Sequence, residues 1–269
     1  MDRLLCPSQT LPARFRGRRL PFFFRLFNGN RATAVRALAL VLALALGTGV
    51  ARADPYEDAV AAYQRGDFAT ALRLWRPLAA QGNSNAAYVL GMMYDDGMGV
   101  APDSQAAVQW YRQAAEEGNA WARYALGAKY ITGDGVPLSY QEAAKWTALA
   151  AAQGHAGAQR SLGVMYANGR GVPQDYAEAV TWFRRAAEQG NTNAQANLGV
   201  MYEAGHGVKQ DLMRAHMWFN LAAAGAAEDN SKSALTGRNR VATKLTPAEL
   251  AQAQEMARKC HASAFEQCD

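Results

Sequence analysis

Residues 156–191 read AGAQRSLGVMYANGRGVPQDYAEAVTWFRRAAEQGN, and the spacing inside this stretch decides the fold class. Ala158, Leu162 and Tyr166 stand at i, i+4 and i+8, which places them on one stripe of a helix. Asn168-Gly169-Arg170-Gly171-Val172-Pro173 interrupts that helix. Tyr176, Ala179, Trp182, Phe183, Ala186 and Ala187 form a second stripe, stopped at Gly190-Asn191 as a helix C-terminus would be. Ala158, Gly163, Ala179 and Ala186 are small enough to let two helix axes approach closely. Tyr166, Trp182 and Phe183 fill the space between turns.

The same pattern recurs on both sides of this stretch. Leu90-Gly91, Leu126-Gly127, Leu162-Gly163 and Leu198-Gly199 repeat every 36 residues, as do Tyr94, Tyr130, Tyr166 and Tyr202, and Trp110, Trp146, Trp182 and Trp218. The copies span 84–119, 120–155, 156–191 and 192–226, preceded by a shorter relative at 56–83 within a hairpin over 54–83. One hairpin cannot bury its own apolar stripe, so the copies are expected to stack into an all-α solenoid. Residues 227–269 leave the pattern. Thr246-Pro247-Ala248-Glu249 combines an N-cap, a Pro at the first helical position and a Glu two further on. It predicts a helix from 247 to about 260 that caps the last exposed face. A further helix is expected around 229–244.

The pattern A-x-x-x-L-G-x-x-Y-x-x-G-x-G-V, then A-x-x-W-x-x-x-A-A-x-x-G-N, closely resembles the Sel1-like repeat, a subclass of tetratricopeptide repeats. The resemblance covers about 84–226. Lys209 departs from it, standing where two other copies carry Pro, and the fourth copy ends one residue early. What the resemblance implies is a right-handed superhelical solenoid whose first helices line a concave groove that takes a protein or peptide. Relatives of this organisation act in envelope signalling, secretion and exopolysaccharide export, so an adaptor or regulator is the expected role. A peptidoglycan-fragment or cell-wall binding protein is the alternative. Some cysteine-rich relatives are associated with β-lactamase-like hydrolysis, but they carry a Cys pair in each repeat and this chain has none there. It also lacks Ser-x-x-Lys, Lys-Thr-Gly, Gly-x-Ser-x-Gly and His-Glu-x-x-His. The chain is therefore read as a non-enzyme that needs no cofactor.

Charge is distributed unevenly. Residues 1–53 carry nine Arg and one acid, leaving 19 basic against 22 acidic residues beyond them, a net charge of −3. That remainder offers no electrostatic footprint for nucleic acid. The leader has a basic stretch, an uncharged apolar run over 37–50, and Ala51-Arg52-Ala53, the small-x-small pattern of a signal peptidase site. Fourteen apolar residues fall short of the roughly 20 needed to span a bilayer. The expectation is a signal peptide over 1–53, cleaved before Asp54, and a periplasmic or secreted product without stable membrane insertion. Cys260 and Cys268, the only cysteines after the leader, are then expected to pair as a disulfide.

The G-x-G pairs follow helices and occur four times, so left-handed turns explain them better than a phosphate loop. His155, His206, His216 and His261 occupy unrelated repeat positions and read as surface or turn residues, with no metal cluster. Asp95-Asp96 and Glu116-Glu117 read as solvated. Positions that vary between copies single out a candidate binding patch: Tyr88, Trp121, Tyr124 and Arg160, aromatic and basic residues of the first helices. The competing reading is that Trp121 and Tyr124 seal the contact between successive repeats.

Overall fold

The computed structural model describes residues 54–225, 228–265 and 268; the expected signal peptide over 1–53 lies outside them. The described residues form helices only: α1 (Pro55–Gln64), α2 (Phe68–Ala80), α3 (Ser84–Asp96), α4 (Ser104–Glu116), α5 (Ala120–Thr132), α6 (Tyr140–Ala152), α7 (Ala156–Asn168), α8 (Tyr176–Glu188), α9 (Thr192–Ala204), α10 (Leu212–Gly225), α11 (Glu228–Ala242) and α12 (Pro247–Ala262). Each helix packs on the next through α11, and α12 returns to pack on α10. This is the all-α solenoid that the 36-residue period demands.

Local chemistry sets the boundaries of the first helices in the copies. The first helices of the copies start at Asn83, Asn119, His155 and Asn191, whose side chains accept the backbone N–H three residues on. They end at Gly97, Gly133, Gly169 and Gly205, all left-handed. The second glycine of each loop does something else. A Cβ on Gly99 would lie 2.7 Å from Phe68, and one on Gly207 would lie 2.7 Å from the backbone nitrogen of Ala177. Phe68 and Ala177 open the second helix of the preceding hairpin, so the G-x-G loop is where one repeat's backbone rests on its neighbour's.

The leucine-adjacent glycines act inside each hairpin. A Cβ on Gly91, Gly163 or Gly199 would come within 2.5, 2.7 and 2.8 Å of Tyr111, Phe183 and Phe219 respectively. Those aromatics, with Trp75, are buried and form the true core column. The periodic tryptophans are not equivalent to them: Trp110, Trp146 and Trp182 are half-buried, and Trp218 alone is fully enclosed. A third repeated device links adjacent hairpins. Arg76, Arg112 and Arg184 each donate to the hydroxyl of a tyrosine 18 residues on, Tyr94, Tyr130 and Tyr202, at 2.7, 2.8 and 2.9 Å. Ala148 stands at that place in copy two, so Tyr166 lacks the clamp.

Asp95 corrects the solvated reading of Asp95-Asp96. It pairs with Lys129, which is only 6% exposed and also donates to Asp134 at 2.6 Å. Lys129 occupies the place of Met93, Met165 and Met201 in the other copies. The ion pair therefore replaces a hydrophobic contact between copies one and two.

At the far end, Thr246 and Glu249 form a full capping box on α12. Positive φ angles at Ala264 and Phe265 turn the chain back, and Cys260 and Cys268 are joined by a disulfide with α-carbons 4.6 Å apart. The bond closes the reversal that ends the cap.

Breaking a buried pair from one side strands the other charge. Lys129→Met is expected to cost about 3 kcal/mol in urea unfolding, through the abandoned Asp95 carboxylate. Adding Asp95→Ile, the residue at the matching place in copy two (Ile131), should recover most of that loss. A single variant as stable as the parent would show that the pair contributes nothing.

Candidate functional site

Of the four residues singled out from the sequence, Trp121 and Tyr124 meet on a common neighbour, His155. Trp121, second residue of α5, is 60% exposed. Its ring meets His155 edge-on at 4.3 Å, and the Tyr124 ring lies 4.7 Å from the same imidazole. Tyr124 reaches across to the next copy, where a Cβ on Gly157 would sit 3.4 Å from its ring. Trp121, Tyr124 and His155 thus make one aromatic corner at the joint between copies two and three.

Tyr88 is half-buried against Tyr111 of its own copy, ring centres 5.9 Å apart. Arg160 is only 8% exposed, so the expected basic rim of the patch is absent. Its Nη1 atom is buried without a hydrogen-bond partner, as are Ser161 Oγ and both side-chain polar atoms of Asn197. These occupy the inner positions of α7 and α9. For Tyr124 the half-buried contact with copy three supports the sealing role, while Trp121 stays open to solvent.

His155 is the member that sequence reading passed over, because it has no partner three or four residues away. Its signal was a different one: it replaces Asn at an N-cap position held by Asn83, Asn119 and Asn191. In the fold Nδ1 accepts the Ala158 N–H at 3.1 Å, and Nε2 is buried without a partner. Burial holds the imidazole below its ordinary pKa, an effect that its backbone hydrogen bond partly offsets. His216 also corrects the surface reading: it is buried within α10, and burial lowers its pKa too, with Arg238 adding to the shift. His206 remains a loop residue, stacked on Tyr176 at 4.6 Å. Among the described residues no group of three or more His, Cys, Asp or Glu side chains is placed to hold a metal, and no helix is long and apolar enough to cross a membrane.

The Sel1 repeat family matches the chain over residues 84–119, 122–155, 156–191 and 192–226. The chain belongs to the Sel1 repeat family. It is similar to a Sel1 repeat protein of Oxalobacter formigenes, with 29% identity over 76% of this chain and 99% of that one, at a TM-score of 0.61. It is equally similar in fold, TM-score 0.61 with 31% identity, to c5321, a protective antigen present in uropathogenic Escherichia coli strains. That match covers 79% of this chain and 50% of c5321. No curated protein matches the chain. Sel1 repeats generally serve as protein-interaction scaffolds, and within this Sel1 array the exposed large hydrophobic side chains are not spread evenly. All three large hydrophobic side chains that are exposed among the described residues, Trp121, Leu138 and Leu149, fall in the second copy. The matching places in the flanking copies hold Asn85 and Gly157, Pro102 and Gln174, Gln113 and Arg185.

A lowered histidine pKa has a defined sign. As pH falls through the ordinary imidazole value near 6.5, the unfolded chain takes up a proton that the folded chain resists, so stability is full above that pH and declines below it. Protonation also removes the Nδ1 lone pair that caps α7. Melting temperature should drop between pH 7.5 and 5.5, and His155→Asn should reduce the drop by about 2 °C, the remainder belonging to His216. An identical decline in parent and variant would remove His155 from the pH response.

Proposed function

We propose that this Sel1 repeat protein is an exported adaptor, periplasmic or secreted, that holds a partner protein or peptide at the joint between its second and third copies. The observation that carries the reading is the concentration of exposed apolar side chains in copy two, where the repeat elsewhere places polar or small residues. Burying a large aromatic on a partner is a strong source of binding energy, and Trp is enriched among such anchors. Trp121 is held edge-on by His155, so little conformational freedom remains to be lost on binding. Export is supported by the arginine-rich leader, its apolar run and Ala51-Arg52-Ala53. It is supported too by a Cys260–Cys268 disulfide of the kind that persists in oxidising compartments.

Two measurements test this. N-terminal sequencing of protein recovered from cells should begin at Asp54; a mature chain that retains Met1 excludes export with cleavage. Crosslinking in the native envelope, followed by mass spectrometry, should identify a partner whose capture falls about tenfold or more in Trp121→Ala. Because Trp121 is largely exposed, that substitution should move the melting temperature by no more than about 1 °C, whereas Tyr124→Ala should lower stability. Undiminished capture by the Trp121 variant would place the partner elsewhere.

A further inference from the structure

Four equivalent turns join a second helix to the next first helix, at Gly82, Gly118, Gly154 and Gly190. Three of them are covered. A Cβ on Gly82 would lie 3.8 Å from Glu117, one on Gly118 3.9 Å from Arg123, and one on Gly190 3.6 Å from Phe265 of the C-terminal tail. Beyond its chain neighbours, no described residue comes within 4 Å of a Cβ on Gly154, and that turn is exposed. It is the turn that leads into His155 at the joint between copies two and three.

Two side chains explain the bare turn. Arg123 donates from Nε to the Ala115 carbonyl at 2.9 Å, and its length carries the guanidinium over Gly118. Gln159 stands at the same place in copy three and donates to the matching carbonyl, Ala151, at 3.2 Å, but ends there. Gln153 of copy two reaches back to the Gly118 carbonyl at 2.7 Å. Its counterpart Gln189 donates instead to Gln159 and to the Arg185 carbonyl, at 2.7 and 3.2 Å, and leaves Gly154 uncovered. The Gly190 turn has the same two gaps: Gln195 donates to the Ala187 carbonyl at 3.3 Å, and Gly225 stands where Gln189 would. There the chain's own tail fills the space with the ring of Phe265.

We propose that the Gly154 turn seats an aromatic side chain of the partner, as the Gly190 turn seats Phe265. The assignment rests on the reading of this joint as the partner site and names what the partner presents there. The seat is walled by rings. The His155 imidazole follows Gly154 directly in the chain, and the exposed Trp121 indole meets that imidazole at 4.3 Å. Ring faces and edges so close together favour a third aromatic over an aliphatic side chain. A cationic side chain is disfavoured, because Arg123 already places a positive charge beside Gln153, to which it donates at 2.9 Å.

Amide NMR of the mature chain titrated with N-acetylphenylalaninamide tests it, with N-acetylleucinamide and N-acetyllysinamide as aliphatic and cationic comparisons. The aromatic probe is expected to give saturating shifts at the Gly154 amide and the Trp121 indole N–H, and the comparisons to bind about fivefold or more weakly. Gln159→Arg installs the residue that copy two uses and lays a guanidinium over the turn, so affinity read at Gly154 should fall about fivefold or more. His155→Asn restores the cap of the other copies while removing one wall, and should weaken binding about threefold. It keeps the test decisive should Gln159→Arg misfold. Equal binding of the three probes, no shift at Gly154, or binding unchanged in both variants would each overturn the seat. Capture of the crosslinked partner that still depends on Trp121 in that case would leave the partner site standing and remove only its aromatic contact.

Discussion

Two close backbone approaches, both through glycine, hold the array in register. Inside a hairpin, the glycine after the repeated leucine lets the second helix press an aromatic ring onto the first helix's backbone. Between hairpins, the second glycine of the G-x-G loop lies on the opening turn of the previous second helix, where a Cβ would meet main chain rather than a movable side chain. The two contacts differ in what can relieve them. A ring can shift by a few tenths of an ångström; a helix start capped by its own side chain cannot. The inter-repeat glycine is therefore the stricter constraint. It carries a left-handed φ as well, 74° at Gly99 and 71° at Gly207, so a side chain there would be strained even with room available.

Once register is fixed by backbone, side chains at the joints are free to vary, and the copies use that freedom differently. Copy one meets copy two through the Asp95–Lys129–Asp134 cluster, a polar contact in a place the other copies fill with methionine. Such a cluster contributes little net stability, because desolvating its charges offsets their attraction. What it adds is a penalty for any register that separates the charges. Copies two and three meet through Tyr124, His155 and the open Trp121. Copy four meets the cap through Ala196, Ala222 and Ala234, and through Glu203 pairing with Arg240 and Lys244 at 2.6 and 3.0 Å.

The fold was legible in the sequence because a solenoid is written four times. The 36-residue period, the helix limits, the capping box at Thr246 and the reversal needed between Cys260 and Cys268 all follow from local spacing. Repetition also misled. The tryptophan column is the most conspicuous period in the chain, yet three of its members are half-buried. The neighbouring column of Trp75, Tyr111, Thr147, Phe183 and Phe219, with five residues of four types, carries the core. In the four repeats a glycine faces this column whatever residue stands in it, so period alone could not reveal the burial. The candidate site was legible in part. Trp121 and Tyr124 stand out as variable aromatics, but Lys129–Asp95 and Trp121–His155 pair residues 34 apart, and such pairing appears only once the stacking distance between copies is known.

The aromatic corner lies at the boundary between two clusters of buried side chains. Buried side chains gather into one cluster running from α1 to α6 with Met165, and another from α7 to the cap. Between them lies a small group of Ala150, Ala151, Ala158 and Leu162. Copy two also places Thr147 in the aromatic column and Ala148 where an arginine clamp belongs. Thr147 faces Gly127 inside its own hairpin, whereas Ala148 removes a tether from the joint with copy three. In a solenoid every repeat touches only its neighbours, so a joint is not reinforced from a distance. The two halves of the array are coupled there by the group of Ala150, Ala151, Ala158 and Leu162, by Gln159 donating to the Ala151 carbonyl at 3.2 Å, by Tyr124 packing over Gly157, by the His155 cap on α7, and by the glycine contact of Gly171 against Tyr140. Of these contacts the His155 cap changes with pH, and the exposed indole of Trp121 rests on that same ring. The exposed indole and the cap of α7 consequently meet on one side chain, His155.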